Sequence, residues 1–277
     1  MTIYEDLMGR IEKLKKKTPF VIFGESELGS PLVAFVLGNG ERKILIQASI
    51  HAREYITSFM AIRLIEALRE SQLNAQLIVV PVMNPDGVRI CDEGADFIKD
   101  EKCKAVISKI LKTTPKRLYK ANANGVDLNC NFDAGWGTGS QNKFDAPSFA
   151  NFVGFFPNSE NEVQSLISLT KSFLPNLTLS LHTKGEVVYF GYAGQPEKTR
   201  AQQQKYLKVI EKASKYKGVF TTGSGGGYKD YCLLRLDITG FTIEFGSDKL
   251  SHPISLTHLD ELFDKLYAIV LELLKQE

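Results

Sequence analysis

Two apolar runs constrain the fold of this chain more than any other feature. KILIQASI (Lys43–Ile50) and AQLIVVPVM (Ala75–Met83) are apolar along most of their length rather than at every second position. Such runs are typical of strands that are buried on both faces of a parallel sheet. The segment between them, SFMAIRLIEALRES, has apolar residues at helical spacing and predicts a helix. This strand–helix–strand unit predicts an α/β fold.

Further segments extend the same alternation along the chain. Strands are predicted in PFVIFGES and PLVAFVLG, with a turn at Glu27–Ser30 between them, and in LTLSLHT, EVVYFGY and FTIEFG. Long amphipathic helices are predicted over Lys198–Lys215 and Leu256–Lys275. SENEVQSLISLTKSF predicts a helix with a capping box, because Ser159 stands three residues before Glu162. We therefore predict a mixed, mostly parallel sheet with helices on both faces.

Composition and charge exclude several classes of protein. The chain is 43% hydrophobic and 24% charged, as is ordinary for a globular domain, and its formal net charge is +2. Without a basic block or a long apolar span, we expect neither a nucleic-acid partner nor a membrane. No internal repeat or low-complexity linker divides the chain, so a single domain is predicted over residues 1–277. The sequence does not indicate an oligomeric state.

Two features favour a cytoplasmic location. The first segment, MTIYEDLMGRIEKLKKK, has apolar residues at helical spacing among charges, without the apolar core and cleavage site of a signal peptide. The four cysteines form no CxxC pair, and we expect them to be free thiols. They are Cys91, Cys103, Cys130 and Cys232.

A histidine and a glutamate follow the first buried strand directly. His51 and Glu54, in IHARE, are three positions apart, and in a loop such side chains can converge on one point. Imidazole and carboxylate groups are zinc ligands, and a catalytic zinc site has three protein ligands and one open position. The pair alone leaves an alternative, a solvated loop in which Glu54 forms a salt bridge to Arg53.

Two polar residues end later apolar strands. His182 ends LTLSLH and Glu244 lies in FTIEFG, and ligands bind at the carboxyl ends of strands in such folds. His182 is a candidate third metal ligand, or else a hydrogen-bonded core residue. Glu244 is a candidate general base beside the metal, or else a solvent-facing strand residue. The other two histidines, His252 and His258, are expected to have surface or capping roles and no chemistry.

Six segments, taken in order, give the chain a wider resemblance. IHARE, VPVMNPDGV, GVDLNCNF, FVGFFPNSENE, LSLHT and FTIEFG resemble the motifs of the M14 family of zinc carboxypeptidases along nearly the whole chain. The resemblance implies the carboxypeptidase fold, metallopeptidase activity and one bound Zn²⁺ ion. Six motifs in one order are far more specific than the HxxE pair alone.

The resemblance also implies roles for individual residues. The implied metal ligands are His51, Glu54 and His182. Glu244 is implied to be the base that takes a proton from water and passes it to the leaving amine. Arg53 is implied to face the substrate and to polarise the scissile carbonyl group. Asp127, in GVDLN, is implied to orient His51, and Asn129 to contact a substrate carboxylate.

The departures from the family concern substrate recognition. Cys130 stands where the family has arginine in DLNRNF, and a thiol, for which we expect a packing role, cannot grip a carboxylate with two bonds. The family's oxyanion arginine has its nearest match in Lys120, with Arg117 as a second candidate. Lys229 falls at the floor of the family's specificity pocket, where it would favour an anionic leaving residue, unless it is a surface lysine. The tyrosine of the family's mobile loop has no counterpart, since Thr222 occupies its position.

GGYKDY, together with the changed DLNCNF segment, resembles one branch of the family, the γ-D-glutamyl–meso-diaminopimelate peptidases. The resemblance implies hydrolysis of that amide bond in peptidoglycan peptides, with Lys229 facing the distal carboxylate of diaminopimelate. The expected partner is a peptide or muropeptide substrate. One alternative is a metallocarboxypeptidase that removes acidic C-terminal residues, and another is an inactive muropeptide sensor. The charged segment Ile90–Lys116, without clear periodicity, is either a lid or a surface insertion.

Overall fold

The apolar runs form the centre of an eight-stranded sheet in a computed structural model that describes residues 1–276. The strands are β1 (Phe20–Glu25), β2 (Pro31–Leu37), β3 (Arg42–Ala48), β4 (Ala75–Val80), β5 (Leu177–His182), β6 (Val187–Phe190), β7 (Lys217–Phe220) and β8 (Thr239–Glu244). Their order across the sheet is β1-β2-β4-β3-β5-β8-β6-β7. The central strands β4, β3, β5 and β8 are parallel to one another, whereas β1, β2 and the β6–β8 pair add antiparallel contacts. The mixed, mostly parallel sheet is therefore confirmed.

Strand β3 shows why its sequence is almost continuously apolar. It lies between β4 and β5, and its successive side chains point to opposite faces. Ile44 and Ile46 pack into the core on one face, while Leu45 packs into the core on the other. Both faces are covered by helices, so neither set of side chains meets water.

Residues 1–276 include eight α-helices, most of which pack against the sheet. They are α1 (Ile3–Lys15), α2 (Ile56–Leu68), α3 (Pro85–Glu93), α4 (Glu101–Leu111), α5 (Asn161–Phe173), α6 (Glu197–Ser214), α7 (Tyr228–Arg235) and α8 (Leu259–Leu274). Helices α1, α2, α6 and α8 bury apolar residues in the core on one face, and α5 and α7 do so on the other. Within residues 1–276, no helix is both long and apolar enough to cross a bilayer. The assignment of residues 1–277 to one domain stays a prediction.

The predicted capping box at the start of α5 is wrong. The helix begins at Asn161, after Glu160, and the Ser159 hydroxyl donates to Glu160 Oε1 at 2.5 Å instead of capping the helix. Glu162 is fully buried, and its carboxylate accepts from Asn122 Nδ2 at 3.3 Å. The contact between Glu162 and Asn122 has therefore replaced the Ser159–Glu162 capping box that the sequence spacing predicts.

The charged segment Ile90–Lys116 contains a helix that its periodicity does not reveal. Asp100 caps α4 by accepting a hydrogen bond from the Cys103 backbone N–H at 2.7 Å. Only Ile107 of this helix is fully buried, so the apolar pattern is weak. The helix lies at the surface and packs through a small apolar cluster that includes Tyr119.

Gly226 joins two loops through backbone hydrogen bonds. Its N–H donates to Ala134 O at 2.8 Å, and its carbonyl accepts from Phe132 N at 2.9 Å. Its φ is +80°, and a Cβ at this position would lie 2.1 Å from the backbone oxygen of Cys130. The left-handed conformation and the close backbone contact both require glycine here.

We expect Gly226→Ala to lower the free energy of unfolding by at least about 2 kcal/mol, because left-handed strain is added to a backbone clash. Gly223→Ala is the matched control in the same loop. Its φ lies outside the left-handed region, and an added Cβ would lie 3.4 Å from Ser140 Oγ. Urea unfolding should place this control within about 0.5 kcal/mol of wild type. Equal losses in the two variants would contradict the interpretation.

Candidate metal centre

Parallel strands bring the predicted metal ligands to one edge of the sheet. His182 is the last residue of β5 and pairs in register with Glu244, the last residue of β8. His51 follows β3, which is the parallel neighbour of β5 on its other side. Three separate parts of the chain therefore place polar groups at the carboxyl ends of adjacent strands, where α/β sheets bind ligands.

A short turn after His51 brings Glu54 back beside it. Residues Ala52–Glu54 form one turn of 3₁₀-helix, in which Glu54 N donates to His51 O at 3.0 Å. Asn84, from the NPDG segment, holds the turn in place by donating to Ile50 O at 3.2 Å. The same side chain accepts from Gly87 N and so caps α3. The NPDG segment, which follows β4, thus supports the turn that carries His51 and Glu54.

The three predicted ligands face one another with suitable atoms. His51 Nδ1 lies 3.0 Å from Glu54 Oε1, and His182 Nδ1 lies 3.1 Å from Glu54 Oε2. The two histidine Nδ1 atoms are 3.0 Å apart. All three side chains are buried. Two imidazoles and one carboxylate that converge in this way could hold a metal ion.

Hydrogen bonding fixes which histidine nitrogen is available to a metal. His51 Nε2 lies 3.2 Å from Asp127 Oδ1, and since the carboxylate can only accept, Nε2 carries the proton. The lone pair of Nδ1 then faces the Glu54 carboxylate, and a cation between them relieves this repulsion. Tetrahedral zinc with bonds of about 2.0–2.1 Å requires ligand atoms about 3.3 Å apart. The donor set and its spacing therefore fit zinc.

Lys120 and His51 keep the supporting carboxylate of Asp127 ionised. Lys120 Nζ lies 2.7 Å from Asp127 Oδ2, and both side chains are buried. Burial alone would raise the pKa of Asp127, but Lys120 and His51 hold that pKa below its usual range. Burial likewise works to raise the pKa of Glu54, yet His51 and His182 hold it well below its usual range. Both carboxylates are thus charged at neutral pH.

Glu244 has the environment of a general base. Its Oε2 is enclosed and has no hydrogen-bond partner within residues 1–276. Burial, reinforced by the charge of Glu54 and opposed by His182, raises the pKa of Glu244 to about 7. A carboxyl group with a pKa near the working pH can take up and release a proton efficiently. The solvent-facing alternative does not fit this enclosure.

Arg53 is not engaged with the protein. It forms no ion pair within residues 1–276, so the predicted alternative of a salt bridge to Glu54 does not occur. Its Nε is enclosed and without a partner, while the side chain as a whole is half-buried. The guanidinium group is therefore available to a substrate.

The DLNCNF segment forms hydrogen bonds that hold Asp127 in place and link it to the start of α7. Asn129 N donates to Asp127 Oδ1 at 3.2 Å, and Asn129 Oδ1 accepts from Tyr228 N at 3.1 Å. Cys130 is buried, and burial raises the pKa of its thiol, which fits the expected packing role. Of the two candidates for the oxyanion cation, Lys120 lies beside Asp127 and Arg117 is exposed.

Lys229 is a buried residue, so the alternative of a surface lysine is wrong. The residue is 4% exposed, and its Nζ donates to Gly191 O at 2.7 Å. Its ammonium group also pairs with Asp230 Oδ1, and Asp230 Oδ2 accepts from Ser224 Oγ at 2.6 Å. The predicted cation is therefore one half of a buried ion pair. The sequence GGYKDY shows that Lys229 and Asp230 are neighbours, but it does not show that their side chains form an ion pair.

His252 was expected to have a surface or capping role, and the structure places it at the site instead. Its Nδ1 is enclosed and lacks a partner within residues 1–276. Burial lowers the pKa of His252 to about 4, and the charges of Glu54, Arg53 and Lys184 also act on the ring. A histidine followed by proline, eight residues beyond Glu244, carries no sequence signal for this position. His258 starts α8 at the surface, as expected.

A second group of carboxylates meets away from the metal centre. Glu27, Glu160 and Glu162 bring oxygens within 4.8 Å of one another. Glu160 already accepts from Asn122 at 2.7 Å and from Asn124 at 2.9 Å. Burial raises the pKa of Glu162 well above its usual range, and the charge of Glu27 adds to this effect. Amide donors to Glu160 and the raised pKa of Glu162 therefore reduce the repulsion among these carboxyl groups.

Comparisons with known proteins agree with this geometry. A family model described as zinc carboxypeptidase matches residues 4–256. The γ-D-glutamyl-L-diamino acid endopeptidase 1 of Lysinibacillus sphaericus is 28% identical over 287 residues, covering 97% of this chain and 71% of that protein.

Two solved structures show the same fold at lower identity. Bovine thrombin-activatable fibrinolysis inhibitor superposes with a TM-score of 0.72 at 17% identity, covering 98% of this chain and 94% of that one. The murein-tripeptide amidase of Escherichia coli O157 superposes with a TM-score of 0.62 at 24% identity, covering 93% and 92%.

We expect Asp127→Asn to weaken zinc binding about 10–100-fold. The amide oxygen of asparagine carries no charge, so it would accept the hydrogen bond from His51 less strongly than the carboxylate does. Zinc affinity is measured by competition with a chromogenic chelator. Asp133→Asn is the matched control, since Asp133 is an exposed carboxylate paired with Arg235. The orienting role of Asp127 is contradicted if both variants bind zinc as wild type does.

We expect Glu162→Gln to be more stable than wild type at pH 7. The raised pKa means that the folded chain binds more protons than the unfolded chain above the unfolded pKa, so wild-type stability falls as pH rises. The difference in the free energy of unfolding between the variant and wild type should become smaller as the pH is lowered towards 4. Denaturant unfolding at both pH values measures it.

Glu160→Gln is the control for this prediction. Glu160 accepts from three donors, and an amide NH₂ would face them, so this variant should lose stability at both pH values. A Glu162→Gln variant that is destabilised at pH 7 would show that the buried carboxyl is charged and paired.

Proposed function

Since this chain belongs to the zinc carboxypeptidase family, we propose that it hydrolyses the γ-D-glutamyl–meso-diaminopimelate amide bond of peptidoglycan peptides. A relative that is 28% identical over nearly the whole chain is named as a γ-D-glutamyl-L-diamino acid endopeptidase, which supports this substrate class. The observation that carries the proposal is the buried pair of Lys229 and Asp230.

This pair fits a zwitterion better than a simple anion. Lys229 uses its ammonium group for Gly191 O and Asp230, which leaves one donor, and Asp230 retains acceptor capacity. The far end of diaminopimelate carries an ammonium and a carboxylate on one carbon. Lys229 can donate to that carboxylate while Asp230 accepts from that ammonium. The pair as a whole is neutral, so it gives less attraction to an acidic side chain alone.

The catalytic residues have separable tasks in this proposal. His51, Glu54 and His182 would hold one Zn²⁺ ion, which in such sites acts as a Lewis acid on a carbonyl group and acidifies water. Glu244 would take the proton from the attacking water and deliver it to the leaving amine nitrogen of diaminopimelate. Its raised pKa suits both steps, since a stronger acid would hold the proton too weakly for the transfer.

Two cations would stabilise the negative charge that develops on the carbonyl oxygen. Arg53 has no protein partner, so its guanidinium group can donate to the substrate. Lys120 is buried and would contribute positive charge, although its ammonium group also pairs with the Asp127 carboxylate. A well-placed donor to an oxyanion contributes about 3–4 kcal/mol to transition-state stability. Asn129 would contact a substrate carboxylate from the DLNCNF segment.

We further propose that the protein works in the cytoplasm, on muropeptides inside the cell. All four cysteines are free, and free buried thiols are typical of proteins in a reducing compartment. Three of the four cysteines are buried, where they pack as small apolar residues.

Hydrolysis of L-Ala-γ-D-Glu-meso-diaminopimelate by the zinc-loaded protein tests the proposed reaction. We expect release of diaminopimelate, lost on chelation and reduced at least about 100-fold in Glu244→Gln. Glu197→Gln, at the start of α6, is the control for loss of a carboxylate outside the site. Cleavage of a glutamate-ended peptide instead would indicate an acidic carboxypeptidase. Tight binding without turnover would indicate a muropeptide sensor.

We expect Lys229→Met to raise KM for the diaminopimelate peptide by about tenfold or more while kcat changes less, because a charge-assisted bond to the leaving residue is lost. Lys217→Met, in the edge strand β7, is the matched control. Steady-state kinetics on both variants measures the effect. An unchanged KM in Lys229→Met would show that this pair does not bind the leaving residue.

A further inference from the structure

One histidine at the candidate site has no task in the proposed reaction. His252 lies in the segment between β8 and α8, and its Nδ1 is enclosed without a hydrogen-bond partner within residues 1–276. Enclosed polar atoms in folded proteins are nearly always partnered. The ring of His252 therefore has hydrogen-bonding capacity that the protein leaves unused within residues 1–276.

The segment that carries His252 is packed against the end of β5. Phe245 N donates to His182 O at 2.9 Å, and Gly185 N donates to Gly246 O at 2.8 Å. The segment then turns back, so that a Cβ on Gly246 would lie 2.8 Å from Ile254 Cδ1. His252 is thereby held beside the chain that leaves the metal ligand His182.

Two cations contribute to the electrostatic environment of this histidine. Arg53 and Lys184 are among the charged groups that act on its ring, together with the metal ligand Glu54. The Lys184 ammonium donates to Asp248 O and lies 3.6 Å from the Asp248 carboxylate. That carboxylate is 80% exposed, so water screens it and Lys184 retains a donor for a ligand. The position therefore suits an anion.

Lys184 and the Lys229–Asp230 pair lie on opposite sides of Glu244 along the edge of the sheet. Along the edge of the sheet the order is β5, β8, β6, and Lys229 binds Gly191 O just beyond the end of β6. Lys184 follows β5, and Glu244 ends β8 between them. A substrate whose leaving residue binds Lys229 and whose scissile bond lies by Glu244 must extend its acyl side towards Lys184 and His252.

We propose that His252 and Lys184 bind the free α-carboxylate of the D-glutamyl residue on the acyl side of the scissile bond. This inference rests on the proposed function. A γ-linked glutamyl residue keeps its α-carboxylate free near the scissile amide, whereas an ordinary α-linked peptide has no carboxylate there. Lys184 supplies charge, and His252 supplies an N–H donor. The two side chains therefore select γ-linked over α-linked acyl groups.

A matched pair of substrates tests this specificity. We compare L-Ala-γ-D-Glu-meso-diaminopimelate with the peptide whose D-glutamyl α-carboxylate is converted to the carboxamide. Wild type should favour the free acid by about tenfold or more in kcat/KM. His252→Leu and Lys184→Met should each reduce that preference by raising KM for the acid, and leave the amide unchanged. His252→Asn, which keeps an N–H donor, should restore part of the preference.

His258→Leu is the matched control, since His258 lies at the start of α8 with a partly exposed side chain. It should keep the full preference for the acid. A structural defect in His252→Leu would lower kcat/KM for both substrates alike, so an equal loss on acid and amide overturns the proposal. Equal wild-type rates on the two substrates overturn it as well.

Binding provides a readout that does not depend on turnover. Isothermal titration of wild-type protein with the dipeptide L-Ala-γ-D-Glu and with its α-carboxamide should show about tenfold tighter binding of the acid. The difference should be lost in His252→Leu and kept in His258→Leu. If neither tripeptide is cleaved but this difference is seen, the proposed reaction fails and the carboxylate site stands. If both dipeptides bind equally, the carboxylate site is overturned whether or not the tripeptide is cleaved.

Discussion

The candidate site depends on one chain of buried contacts, from Lys120 to Asp127 to His51. Lys120 keeps the Asp127 carboxylate charged in a place where burial would otherwise favour its protonated form. The charged carboxylate fixes the proton of His51 on Nε2, which turns the Nδ1 lone pair towards Glu54 and His182. Without the buried cation, we expect His51 to be held less firmly and the three ligand atoms to converge less closely.

The sheet supplies the geometry that this chain of contacts could not supply alone. Three parallel strands end side by side, so His51, His182 and Glu244 come from distant parts of the sequence and yet lie at one edge. Buried strands move little, and a site built on their ends keeps its spacing. In the proposed reaction, substrate recognition would extend along the same edge, with Lys229 beyond β6 and His252 in the segment packed against the end of β5.

The sequence predicted every strand of the sheet except β7, half of the helices and the converging ligands, because buried strands and strand ends have local signatures. Features that depend on distant contacts were not predictable in this way. Lys229 was identified as a pocket cation, but its burial and its pairing with Asp230 are visible only in the structure. His252 was missed because the packing of its segment brings it to the site. The capping box at α5 failed because Glu162 is drawn into a buried cluster instead.

We propose that His51, Glu54 and His182 together hold one zinc ion. X-ray absorption at the zinc edge tests it most directly, on wild-type protein and on His182→Ala loaded with one equivalent of zinc. We expect two imidazole nitrogens at about 2.0–2.1 Å with carboxylate oxygen and no sulfur, and one imidazole fewer in the variant. A sulfur ligand near 2.3 Å, or an identical spectrum in the variant, would contradict this ligand set.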